Sequence, residues 1–142
     1  MAHDLNRDRR KQIAAAGEAF AADWLRARGH VLVAQNWRSG RFGEIDLILR
    51  RRDGLLVFVE VKTRRFLPDE RGFIDYGFNA IDWRKQRKIT TAARSFIGRN
   101  HLGDIGYQCD AALVTFESLI VTPSDAVQLN GVQIIHVENA FC

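Results

Sequence analysis

Apolar and polar residues alternate with two different periods along this chain, and the change of period marks out its elements. In residues 12–28, Ile13, Gly17, Phe20 and Trp24 recur at about 100° per residue, which is one face of a helix, and Gly29 follows as a stop. Glu18 falls off that stripe, on a flank shared with Ala14, Ala21 and Leu25, where a surface salt bridge is the ordinary expectation. Residues 30–36 read as a strand, followed by the turn-like Arg38-Ser39-Gly40. A hairpin comes next, with Arg52-Asp53-Gly54 as a three-residue loop and Gly54 where positive φ is required. Residues 63–79, which hold Pro68 and scattered aromatics, read as a long irregular excursion. Asp82 caps a second expected helix that runs to about Ile97 and stops at Gly98. Its inward stripe is Lys85, Ile89, Ala92 or Ala93, and Phe96. Strands over 107–116 and 132–137 complete an order of helix, three strands, helix, two strands. That order predicts an α/β fold with a mixed sheet of about five strands flanked by helices.

The hairpin carries charge where a core strand should not. If Arg51 faces Leu55 across the ladder, the register pairs Ile48 with Phe58 and Asp46 with Glu60. Glu44, Asp46, Ile48, Phe58, Glu60 and Lys62 then share one face, while Ile45, Leu47, Leu49, Val57, Val59 and Val61 fill the other. Two carboxylates side by side repel, by roughly 0.2–1 kcal/mol in an ordinary sheet and more when buried. A divalent cation offsets that repulsion, because hard ions such as Mg²⁺ take carboxylates together with water and substrate oxygens. Such an ion polarises a phosphodiester, and Lys62 is placed to orient a water or to stabilise charge on phosphate. The plainer alternative is an exposed Glu60–Lys62 strand pair with Asp46 bonded to a turn. Spacing alone weighs the two equally.

Composition narrows the class without choosing between them. The 142 residues are 46% apolar and 27% charged, the mix of one globular domain. The expected division is a basic tail over 1–11 and a single domain over 12–142. No stretch reaches the apolar length of a membrane span and the first residues have no signal-peptide pattern, so the expected location is the cytoplasm, with no membrane partner. Cys109 and Cys142 are too few for a disulfide framework; Cys109 reads as a small core residue and Cys142 as a tail residue. Net charge is +4, and 17 of the 21 basic residues are Arg, whose planar fork suits phosphate oxygens, although a GC-rich genome produces the same bias. Arg50–Arg52 at the hairpin tip and Arg64-Arg65 beyond it form either a phosphate-binding rim or a solvated edge. The four histidines have no ligand spacing, and the three tryptophans read as packing residues.

The stretch GEAFAADWLRARGHVLVAQNWRSGRFGEIDLILRRRDGLLVFVEVKTR resembles the YraN-like family of small bacterial proteins. The resemblance continues in Lys85-Gln86-Arg87-Lys88 and in residues 135–141, so that it covers nearly all of residues 12–141. That family is placed in the PD-(D/E)XK, restriction-endonuclease-like superfamily, near the Holliday-junction resolvases. The resemblance implies an αβββαβ core and a metal-dependent nuclease acting on DNA with Mg²⁺, for which Mn²⁺ substitutes. It matches the metal-binding acid to Asp46, the second acid to Glu60, the lysine to Lys62 and the helical acid of the resolvase branch to Glu18. It also implies a ligand from the Val61 carbonyl, and a homodimer as in resolvases. Arg38, Arg41, Arg64 and Lys85 are the candidate nucleic-acid contacts. Two positions depart from the pattern. Ile45 stands where the superfamily name has Pro, and Gln108-Cys109 precedes Asp110 where family members often have a basic or aromatic residue. Asp110 is left as a weak supporting candidate. The competing functions are a binding module that keeps the fold without the chemistry, and an adaptor that docks a protein through residues 63–79.

Overall fold

The structure, a computed structural model, describes residues 2–66 and 83–142. Helix α1 spans Ala2–Ala27, β1 Val31–Arg38, β2 Glu44–Arg50 and β3 Leu56–Arg65. Helix α2 spans Trp83–Arg99, and β4 Tyr107–Phe116, β5 Ser118–Val121, β6 Val127–Asn130 and β7 Gln133–Val137 follow. The main sheet has the order β1-β2-β3-β4-β7. Its β3–β4 pair is parallel and its other pairs are antiparallel, so it is the expected mixed five-stranded sheet. The β5–β6 hairpin forms a separate pair that the sequence pattern did not reveal, because its strands have four residues each and little apolar contrast. Asp82 and most of the 63–79 excursion lie outside the described residues.

Helix α1 starts at Ala2, so residues 2–11, expected as a basic tail, form its first turns. Arg9 and Gln12 reach Asp125 beside the β5–β6 hairpin, at 3.5 Å to its side chain and 2.9 Å to its carbonyl. At the other end Gly29 takes φ 97°, with Gly29 N–H bonded to the Arg26 carbonyl and His30 N–H to the Leu25 carbonyl. The buried face of α1 is rotated from the expected stripe. Gly17, Ala21, Ala22 and Leu25 are buried, whereas Phe20 and Trp24 are only partly so. Glu18, Ala21, Ala22 and Leu25 are spaced i, i+3, i+4, i+7, so the flank assigned to Glu18 is the face that meets the sheet.

Helix α2 buries Ile89, Ala92, Ala93, Phe96 and Ile97. It runs through Gly98 and stops at His101, which takes φ 53°, with His101 N–H bonded to the Gly98 carbonyl and Leu102 N–H to that of Ile97. The two helices cover opposite faces of the sheet. Leu47, Leu49, Val57, Val59, Val61, Ala112 and Val114 pack under α1, and Ile48, Phe58 and Cys109 pack under α2. Cys109 is the core residue expected, but it is disulfide-bonded to Cys142, so Cys142 is not a loose tail residue. Pairing requires Cys142 to return to the sheet, and the Ala140 N–H to Cys109 carbonyl bond of 2.7 Å brings it there.

Candidate functional site

The hairpin turns as expected: Arg51 N–H bonds the Leu55 carbonyl at 2.9 Å, and Gly54 has φ 91°. Ile48 pairs with Phe58, as the register required. The β2–β3 ladder, however, ends at Leu47↔Val59, so Asp46 and Glu60 are not a ladder pair. Two carboxylates held opposite would repel, and the strands separate at the point where they would meet. Asp46 Oδ2 instead accepts the Val61 N–H at 2.8 Å, taking the place of a backbone partner. Alternation fails with it: Ile45, expected beside Leu47, joins the core under α2.

The carboxyls of Asp46 and Glu60 still act on one another across this gap. Burial, then the charge of Glu60 and, less strongly, that of Glu18, push the Asp46 carboxyl up to about 8, against the pull of the Val61 N–H. Glu60 is only 3% exposed, which excludes an exposed Glu60–Lys62 strand pair. It meets Lys62 at 3.3 Å and Lys85, from the first turn of α2, at 2.5 Å. Burial and the neighbouring Lys85 push the Lys62 ammonium down. Burial opposes the charge on Lys85 as well, but the bonds to Glu60 and Lys62 outweigh it and hold this ammonium above the lysine range. Lys85, the inward-stripe lysine, thus reaches the acidic cluster rather than running out to solvent.

Glu18 approaches from α1. A Cβ on Gly17 would collide with the Thr63 side chain, so glycine there lets the helix sit close against β3. Burial raises the Glu18 carboxyl, a hydrogen bond from Asn36 opposes this, and the Glu44 and Glu60 charges add to the rise. With its amide nitrogen turned to the acids, Asn36 donates to Glu18 Oε2 at 3.1 Å and to Glu44 Oε1 at 2.9 Å. Asn36 has φ 48°, a left-handed conformation that Asn tolerates better than most residues. Nothing in the sequence marks the contact of Asn36 with Glu18.

Among the described residues, no three His, Cys, Asp or Glu side chains converge closely enough to ligate one ion. Asp46 and Glu60 come together, while Glu18 acts on them electrostatically and is tied by Asn36 to Glu44. Val61 is buried, and its N–H serves Asp46. Of the basic candidates, Arg38 pairs with Glu44 at 3.4 Å, and Arg64 bonds the Thr63 carbonyl at 2.9 Å and lines a groove with Arg10, Lys62 and Arg65. Arg41 lines a second cleft, with α2. Asp110 lies apart from this cluster, fully buried under α1. His136 Nε2 sits 2.7 Å from its Oδ2, and Gln108 Nε2 and the Asn139 N–H both donate to its Oδ1 at 2.9 Å. Gln108, a departure from the family pattern, is thus a partner of this buried acid.

The model of uncharacterised protein family UPF0102 matches residues 17–120. The chain belongs to that family. It is the YraN-like family that the sequence resembles, and the restriction-endonuclease-like superfamily is consistent with it. A UPF0102 protein of Treponema pallidum is 35% identical over 92% of this chain and 93% of its own length. One from Burkholderia lata is 39% identical over 78% and 71%, and one from Acetivibrio thermocellus 30% identical over 96% and 95%. Among solved structures, Pyrococcus furiosus SfsA in complex with Ca²⁺ aligns at TM-score 0.30 and 14% identity, over 87% of this chain and 63% of that one. That likeness is too faint to argue from. No helix among the described residues is long and apolar enough to cross a membrane.

Proposed function

We propose that this UPF0102 protein is a divalent-metal-dependent nuclease acting on DNA phosphodiesters, resolvase-like in its chemistry and working in the cytoplasm. The observation that carries the reading is the Asp46 carboxyl, buried against Glu60 and pushed up to about 8. A fold does not gain by pressing acids together, and such groups cluster where a ligand relieves them. Asp46 and Glu60 would supply the carboxylate oxygens that suit Mg²⁺ or Mn²⁺, and the Glu18 carboxylate and the Val61 carbonyl would have to draw in as further ligands. When bound, such an ion supplies Lewis-acid polarisation of a phosphodiester oxygen.

The chain's own groups do the rest. To hold such an ion Asp46 would give up its proton, and the Val61 N–H, which bonds its Oδ2, would keep the freed carboxylate oriented. Lys85 anchors Glu60 at 2.5 Å, which leaves Lys62, at 3.3 Å, the looser of the two ammoniums. With its ammonium pushed down, Lys62 is suited to exchange a proton with the attacking water or to donate to the phosphate as charge develops there. Asn36 holds Glu18 towards the pair. Purified protein with Mg²⁺ or Mn²⁺ is expected to cut a branched or single-stranded DNA, and Asp46→Asn to end the cutting. Activity that persists in Asp46→Asn would be contamination and would remove the reading. Calorimetry of Mn²⁺ binding to the wild type and Glu60→Gln tests the metal step before any substrate is chosen.

A second reading has one observation in its favour. Glu60 is already neutralised by two lysines, and no third ligand converges on the pair among the described residues. A binding module with little chemistry fits that arrangement. It predicts DNA binding that persists in EDTA, falls steeply with salt and tolerates Asp46→Asn.

A further inference from the structure

Helix α2 uses its inner face for Lys85, Ile89 and Phe96 and presents a different set outward. Trp83, Arg84, Arg87, Lys88 and Thr91 recur at three- and four-residue spacing and share one face. Together with Arg41, from the single helical turn Gly40–Phe42 between β1 and β2, they line an open cleft of about 430 Å³. No carboxylate stands among the described residues that line it, and Arg84, Arg87 and Lys88 are in no ion pair among the described residues. The other two tryptophans pack inside, Trp24 against His136 and Trp37 against Phe96. Trp83 is 60% exposed, with the guanidiniums of Arg84 and Arg87 at 5.6 and 5.8 Å from its ring centroid.

An exposed indole flanked by two guanidiniums, in a cleft that Arg41 and Lys88 also line, matches the chemistry of one kind of ligand. Cations draw in a phosphate backbone, and an aromatic face takes an unstacked base, at a contribution of about 1–3 kcal/mol per base. A duplex offers the phosphates but keeps its base faces stacked internally. From the inner face of the same helix Lys85, between Arg84 and Gln86, reaches Glu60. A second groove, of about 440 Å³, opens where Lys62 meets Arg10, Arg64 and Arg65, again with no carboxylate among its described lining residues. Cationic surface therefore extends from both lysines of the Glu60 cluster.

We propose that Trp83 is a base-stacking platform and that the ligand of this face is single-stranded DNA, or the unpaired arm of a branched one, gripped by Arg41, Arg84, Arg87 and Lys88. The assignment rests on the reading that this protein handles nucleic acid and specifies which form. It does not depend on catalysis, so it is tested in EDTA. Fluorescence anisotropy would compare a single-stranded oligonucleotide, the same strand as a blunt duplex, and an abasic single strand of equal length. Trp83→Ala should weaken single-strand binding by about 5- to 100-fold, change duplex binding less than about twofold, and leave abasic-strand binding unchanged. Trp83→Phe, which keeps a stacking face, should restore most of the single-strand affinity. Trp83 is exposed, so thermal melting of each variant should match the wild type. Equal losses on single strand and duplex would overturn the stacking role, as would single-strand binding that Trp83→Ala does not weaken. Wild-type protein that binds none of the three DNAs would overturn both this inference and the nuclease reading. DNA binding with the expected Trp83 pattern but no cutting would remove only the nuclease reading.

Discussion

Two acids of one sheet, fully buried Asp110 and half-buried Asp46, show what separates a matched carboxylate from a crowded one. Asp110, under α1, is fully buried and matched by His136, Gln108 and the Asn139 N–H, and the Trp24 ring closes over His136 with centroids 5.6 Å apart. Its partners tie β4 to β7 and to the chain just beyond it. Asp46 has the Val61 N–H and, on its other side, the carboxyls of Glu60 and Glu18. A buried acid with matched donors strengthens a fold, while one packed against other acids costs stability until a proton or a cation arrives. The second arrangement carries the proposed nuclease reading, and it is the one the carboxylate pattern of the hairpin exposed.

The comparison breaks most readily in the acid variants, which should differ in sign as well as size. Asp46→Asn is expected to lower cutting by more than about a hundredfold, the scale of losing one preorganised electrostatic contact, while leaving the fold as stable as before or more so. Asp110→Ala should do the reverse. It strands the Gln108 and Asn139 donors and the His136 ring in the interior and should cost about 3 kcal/mol in denaturant unfolding, with activity per folded molecule kept. If Asp46→Asn unfolds the protein and Asp110→Ala does not, the assignment of roles is inverted.

A smaller effect separates the acids by pH. Asp46 has a folded value of about 8 against 3.8 for the free side chain, so the folded state keeps a proton that the unfolded chain has released. That contribution to stability is fully present below about pH 4 and is lost as pH rises through about 8. Between pH 5 and 8 the wild type should lose about 1–3 kcal/mol relative to Asp46→Asn, allowing for solvent screening at a half-buried carboxyl. Mn²⁺ should bind more tightly over the same range, with release of about one proton, because the ion takes the proton's place. A stability difference between the two proteins that does not change with pH would mean that Asp46 is ionised throughout and that the acids are not crowded.

What was legible in the sequence follows the range of each force. Alternation, Gly54 and the register of Ile48 with Phe58 are local, and they led to the hairpin and the five-stranded sheet. The splay at Asp46 was hidden because it arises from repulsion between groups fourteen residues apart that pattern alone sets in register. Glu18 was placed off the apolar stripe because Phe20 and Trp24 weigh heavily in that pattern, yet small residues decide this face. Ala21 and Ala22 let α1 lie close to the sheet, and Gly17 makes room for Thr63. The Asp110 network was illegible because His136 and Gln108 are 28 residues apart and meet only through the β4–β7 ladder. Lys85 reads from the sequence more readily as a snorkelling lysine than as a partner of the acids, because nothing local sets Glu60 within its reach.

Lys85 yields the smallest expected effect and the one that resolves the two lysines. It holds Glu60 at 2.5 Å and lies beside Lys62, whose ammonium is pushed down first by burial and then by this neighbouring cation. In Lys85→Met the second cause disappears while burial remains, and Glu60 is left with Lys62 as its ammonium partner. The Lys62 ammonium should therefore rise towards its ordinary value. If the neutral amine of Lys62 serves the reaction, the rising limb of the rate–pH profile should move to higher pH, with the plateau rate changed only a few-fold. A plateau that collapses with no shift of the limb would make Lys85, not Lys62, the residue that touches the reacting phosphate. A profile unchanged in both respects would show that neither lysine titrates in the reaction, and the cluster would then differ from Asp110 only in holding a metal.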